Sequence, residues 1–177
     1  RPDRRNAMNT ELLNALVAAA ARAVADPRVG AIVLRGEGGT FCVGGDVKGM
    51  AEGSGADLTY ERRAEGLRGR MGGGRLIHDS NRPSVAAISG AAAGAGLSLA
   101  MACDFRIVGR SAKLTTAFAK VGLSGDFGGT WFLTQLVGTA KARRRPACTC
   151  ARTDGAVAKE KSMRPDSRSV ATSAPPR

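Results

Sequence analysis

The chain has 177 residues, of which 43% are hydrophobic and 24% charged, and a formal net charge of +12. That length suits one domain with a sizeable core, and the sequence shows neither a secretory signal pattern nor an apolar run of about 20 residues to suggest a membrane span. Its four cysteines lack a framework spacing, which argues against a disulfide scaffold and makes a reduced, cytoplasmic setting the expectation.

The charge is uneven: Lys141 to Arg177 holds ten Lys/Arg and three Asp/Glu, so this tail carries +7 and the preceding body +5. A moderately basic body suits an anionic ligand and equally suits solubility. The chain opens on Arg-Pro-Asp-Arg-Arg-Asn-Ala-Met-Asn, not on Met. Asn9 or Thr10 can cap a helix running to about Ala25, with Leu12, Leu13, Leu16, Val17 and Ala20 on one face. Asp26 and Pro27 stop it. Ala31–Leu34 reads as a strand, Gly36–Gly39 as a turn, and Gly39–Lys48 as a glycine-rich turn into a short helix. Residues 49–55 read as a loop. A helix is expected over Asp57–Ser80, with Leu58, Leu67, Met71, Leu76 and Ile77 on its apolar face, although Gly72, Gly73 and Gly74 weaken it.

Val85–Ile88 is an apolar run bounded by Pro83 and Gly90, as a buried strand would be. Ser89–Asp104 follows as a glycine-spaced turn and then a helix, Ala95–Cys103, apolar on nearly every side. A helix entered this way points unpaired N–H groups out of its first turn, where they can stabilise developing negative charge. Plain tight helix–sheet packing explains the same residues. Phe105–Val108 and Lys113–Thr116 read as strands, and Gly128–Leu136 as a helix. After about Ala142 the pattern ends abruptly, in the manner of a shifted reading frame. Residues 143–177 hold four of the seven prolines and show no periodicity, so a disordered basic tail is expected there.

Four stretches carry a resemblance. Phe41, Cys42, Gly44, Asp46, Val47 and Lys48 match F-(C/A)-x-G-x-D-(L/I/V)-K. Gly90 to Asp104 match G-x-(A/C)-x-G-(G/A)-G-x-x-L-(A/x)-x-x-C-D, residues 1–9 resemble N-R-P-x-x-x-N-A-(L/M)-(N/D), and Val121–Gly138 completes the order. Together, over residues 1–142, they resemble the crotonase family of enoyl-CoA hydratases and isomerases. The resemblance implies an α/β fold, a crotonase-like ββα spiral incomplete at both ends, right-handed by the usual crossover rule.

By resemblance, the N–H groups of Gly45 and Ala95 hold the thioester oxygen, Ala95 standing where glycine is commoner. Phe41, Val43, Gly44, Asp46, Val47, Lys48, Gly94 and Phe118 resemble the lining of the coenzyme A site, with Lys48 near a phosphate or simply solvated. Coenzyme A enters only as part of the substrate, so no separate cofactor and no metal are expected. Family hydratases use two glutamates, at the positions held here by Ser98 and Phe118. Their absence argues against hydration, which needs two positioned acid/base groups. Asp126 lies where some isomerases of the family, among them ring-opening enzymes of phenylacetate degradation, place an aspartate. One carboxylate suffices to shift a double bond if burial raises its pKa, with Phe118, Phe127 and Trp131 as possible apolar walls. The rival reading makes Asp126 the N-cap of the following helix.

The same position holds the nucleophile in a dehalogenase relative, but His78 lacks the spacing of its helper; this lone histidine reads as structural. Relatives form homotrimers or hexamers through parts that the expected tail does not resemble. Alternatives are a catalytically inactive remnant, or a weak nucleic-acid binder through the basic tail, for which aromatic interleaving is missing. Cys148 and Cys150 lack further zinc ligands, and Cys42 and Cys103 read as core fillers.

Overall fold

The computed structural model describes residues 1–51, 58–118 and 122–143. The expected tail lies outside these residues, apart from Arg143. Helix α1 spans Thr10–Ala25, and the Asn9 side chain accepts the Leu12 N–H at 3.0 Å. Leu13 and Ala20 are buried on its inner face, with Leu12 and Leu16 against the core. The chain then runs β1 Ile32–Arg35, α2 Val47–Ala51, α3 Tyr60–Arg70, α4 Gly72–Asp79, β2 Ser84–Ile88 and β3 Ala91–Ala93. It continues with α5 Ala95–Ala102, β4 Phe105–Val108, β5 Lys113–Thr115, α6 Gly129–Val137 and α7 Thr139–Arg143.

Two parallel sheets result. The first has the order β1-β2-β4, with Val33 opposite Val85 and Val85 opposite Phe105. The second pairs β3 with β5 and is extended by single bridges from Cys42 to Ala92 and from Met8 to Gly45. Each pass thus lays one strand in the first sheet, one extended segment in the second, and then helix: a ββα spiral, as expected. A three-residue run of alanine has little strand preference of its own. Ala91–Ala93 was expected as part of a turn and becomes a strand because Cys42 pairs on one side and β5 on the other.

The expected helix over 57–80 is two helices meeting at Met71. Its start lies outside the described residues. Leu58 and Leu67, expected on the apolar face, are 47% and 46% exposed, whereas Ile77 is buried. Gly72, Gly73 and Gly74 do not end the helix; they form the first turn of α4. A Cβ on Gly73 would lie 3.4 Å from Leu16, and one on Gly74 would lie 3.6 Å from Ala102. Those are ordinary contact distances, so α4 packs on α1 and α5 through these glycines without requiring them, and their poor helix propensity is outweighed by the packing of the helix as a whole. The expected loop over 49–55 is helical through Ala51, and its remainder lies outside the described residues.

Candidate active site

The opening residues brace the first glycine turn. Asn6 is buried and donates through Nδ2 to the carbonyls of Glu37 and Thr40 at 2.8 and 2.7 Å. The Met8 N–H donates to Gly44 O at 2.8 Å, and the Met8 carbonyl accepts the Asp46 N–H at 3.0 Å. Those two bonds flank Gly45. Because successive residues of an extended chain point their polar groups to opposite edges, the Gly45 N–H faces away from Met8, and it takes no backbone acceptor among the described residues. Asp46 pairs with Arg1 at 3.0 Å and accepts the Gly49 N–H at 3.3 Å. The Arg1 guanidinium and the Gly49 amide hold its carboxyl below the usual range.

The second turn opens a buried helix. Gly94 caps α5 with φ 50°, a backbone that glycine adopts readily, and no side chain caps the helix there. Ala95 is its first residue and keeps a negative φ, as the alanine-for-glycine exchange requires. Its N–H has no partner within the helix. All eight residues of α5 are buried. Gly44 has φ 98°, and a Cβ there would lie 3.0 Å from Ala93 O and 3.5 Å from Ala95 N. The two turns are in contact, and only glycine at 44 permits it. Gly96 likewise lies against Cys42, whose Cβ would be 2.7 Å from an added Cβ. At the far end of α5, the buried Arg106 donates to the helix carbonyl of Met101 at 3.5 Å and to those of Cys103 at 2.8 Å and Asp104 at 3.3 Å just past the terminus.

Asp126 sits in the turn before α6. The helix is capped by Gly128, with no side-chain cap bond, so the N-cap reading of Asp126 fails. Its carboxylate oxygen Oδ1 is buried without a hydrogen-bond partner among the described residues, and burial raises its pKa. Phe127 is in the left-handed region at φ 49° and Gly128 at 72°. For phenylalanine that conformation is costly; here the side chain is buried in the core.

Two cavities adjoin this turn, and Asp126 is in the lining of neither. One, of about 560 Å³, is lined by Gly94, Ser98, Phe118, Gly125, Gly129 and Leu133, among others. The other, of about 760 Å³, lies between α3, α4 and α6 and meets Met71, His78, Phe127 and Trp131. Of the residues expected to line a ligand site, Gly94 and Phe118 border the first cavity; a Cβ on Gly94 would lie 3.6 Å from the Phe118 ring. Phe41 lies in the core at 3% exposure, Val43 is half-buried, and Val47 and Lys48 are exposed on α2. Trp131, expected as a wall for Asp126, packs edge-on to His78 with ring centres 5.2 Å apart.

Sequence reasoning missed Met50, whose Cε lies 2.7 Å from where a Gly45 Cβ would be and so covers that turn. No motif marks it; only the return of α2 over Gly45 brings it there. The described residues contain no cluster of potential metal ligands and no helix long and apolar enough to cross a membrane.

The family model for "Enoyl-CoA hydratase/isomerase" matches residues 1–162, past the boundary expected at 142. A "Probable enoyl-CoA hydratase" of Mycobacterium tuberculosis is 42% identical over 142 residues, covering 80% of this chain and 54% of the relative. A second "Probable enoyl-CoA hydratase", from Rhodobacter capsulatus, is 41% identical over 143 residues, covering 80% and 52%. Among solved structures, an enoyl-CoA hydratase from Polaromonas sp. JS666 superposes with a TM-score of 0.72 at 35% identity, covering 81% of this chain and 55% of that one. The chain spans about half the length of the relatives it matches. With its ββα passes, its paired glycine turns and a family match over most of its length, the chain belongs to the enoyl-CoA hydratase/isomerase family.

Proposed function

We propose that the chain binds an acyl-CoA thioester and shifts a carbon–carbon double bond along its acyl group, with Asp126 as the proton carrier. The supporting observation is Oδ1 of the half-buried Asp126, itself buried and unpartnered among the described residues, in a carboxyl whose pKa burial raises. Leaving one buried carboxylate oxygen unpartnered costs on the order of 1–3 kcal/mol, and such cost is tolerated most readily where a ligand completes the site.

In this reading the thioester oxygen accepts the Gly45 and Ala95 N–H groups. Asp126 takes a proton from C2 of a 3-enoyl thioester. The electron pair spreads onto the oxygen as a dienolate, and the same proton returns to C4, leaving the 2-enoyl isomer with no net change of atoms. Removing one positioned oxyanion donor costs about 2.7–4 kcal/mol in an acyl-transfer site. Hydration needs a second carboxylate to direct water, and positions 98 and 118 carry Ser and Phe.

The test is Asp126→Asn, assayed for interconversion of 3-enoyl- and 2-enoyl-CoA. Turnover should fall about 10²–10⁴-fold, while acyl-CoA affinity changes less than about twofold. Undiminished turnover in that variant would refute the role of Asp126, and hydration outpacing isomerisation in the parent chain would refute the reaction.

A further inference from the structure

We infer that Ser98 and Gly129 form a seat that fixes the direction of the Asp126 carboxylate, so that Ser98 is a positioning residue. The catalytic meaning of that seat rests on the isomerase reading above; the seat itself rests on geometry. Ser98 is 1% exposed, and its Oγ donates to the Gly94 carbonyl at 3.3 Å. Gly129, the first residue of α6, is buried directly against it: an added Cβ would overlap Ser98 Oγ and lie 3.1 Å from Ser98 Cβ. The Gly129 N–H donates to the Asp126 carbonyl at 2.8 Å, closing the turn.

Between the two, Phe127 and Gly128 both have positive φ, which folds the chain back tightly. The path from oxyanion donor to acid is therefore short and stiff. Ala95 opens α5, and Ser98 stands three residues on, on the same face of the helix. Gly129 rests on Ser98, and Asp126 hangs from Gly129. One buried helix sets both the carbonyl's partner and the acid, whose mutual placement matters because a displacement of about 1 Å can cost about 100-fold in rate.

The test uses the full chain with Gly129→Ala, and with Gly129→Ala combined with Ser98→Ala. Carbodiimide labelling of carboxyl groups, read by peptide mass spectrometry, reports Asp126 exposure independently of turnover, with the 75%-exposed Asp3 as reference. Gly129→Ala should raise labelling of Asp126 several-fold and lower kcat about 10–100-fold, with KM changed less than about twofold. Removing Ser98 Oγ in the double variant should return labelling and kcat most of the way to the parent.

Parent-like protection of Asp126 in Gly129→Ala overturns the seat, as does a double variant that restores nothing. Should Gly129→Ala fail to fold, recovery of the fold in the double variant supports the same overlap, and failure of both overturns it. Labelling that behaves as expected while Asp126→Asn retains full turnover removes the catalytic role and leaves the seat standing.

Discussion

Asp126 and the two buried thiols make opposite use of burial. Desolvation raises the Asp126 pKa, so the folded protein holds that proton more tightly than the unfolded chain. The linked stability is fully present below the unfolded carboxylate value of about 3.9 and is lost as pH rises through the higher folded value. Asp126→Asn should therefore be more stable than the parent at neutral pH, and urea titrations should show that advantage shrinking as pH falls toward 4, about the ordinary carboxylate value. Burial also pushes the Cys42 thiol up, and the Cys103 thiol up to about 12. Both are free and buried. Since the thiolate is the reactive form, native protein should alkylate at these two positions far more slowly than urea-unfolded protein, as peptide mapping would show.

At the scale of elements, α5 is the piece on which the others are hung. It is buried throughout and apolar except for Ser98, opens on an N–H with no partner within the helix, and ends on a buried guanidinium. Arg106→Met keeps most of the volume but leaves the carbonyls of Cys103 and Asp104 without their donor. Hydrogen bonds to a charged group contribute about 1.5–3 kcal/mol, so the variant should lose about that much stability by denaturant midpoint. Gly96→Ala acts at the other end. An added methyl would overlap the Cys42 carbonyl and press its side chain, separating α5 from the turn that bears Gly45. Overpacking of this kind costs about 1–3 kcal/mol, and the same variant should weaken acyl-CoA binding in a titration.

For the whole molecule, the site depends on contacts distant in sequence: residues 1–9 brace residues 44–46, and residue 44 meets residues 93 and 95. A ligand spanning these parts should stabilise the fold as a unit. Acyl-CoA at about 100 times its dissociation constant should add roughly 2.7 kcal/mol. A thermal melt with and without it checks this, and an unchanged midpoint would speak against binding. The outer face of the first sheet carries Val33, Phe105 and Ile107, 64%, 43% and 58% exposed. Parallel sheets are ordinarily covered on both faces, and this row stands out against the buried Ala86 and Ile88 beneath it.

The order of strands and helices was legible in the sequence because each carried a local signature. The Asn9 cap, the apolar run at 85–88 and the nearly all-apolar stretch at 95–102 are each explained at short range. So did the contact between the two glycine turns, since glycine where a side chain would collide is a backbone requirement visible as a motif. Tertiary structure alone decided the rest. Ala91–Ala93 became a strand only because partners lay on both sides. The glycines of α4 proved to be packing surfaces because α1 and α5 press on them. Asp126 gained a buried, unpartnered Oδ1 from a turn whose Gly129 packs on Ser98, 28 residues from the acid in sequence. Local propensity is set by neighbours along the chain, whereas burial, pKa and cavity shape are set by what the fold brings from elsewhere.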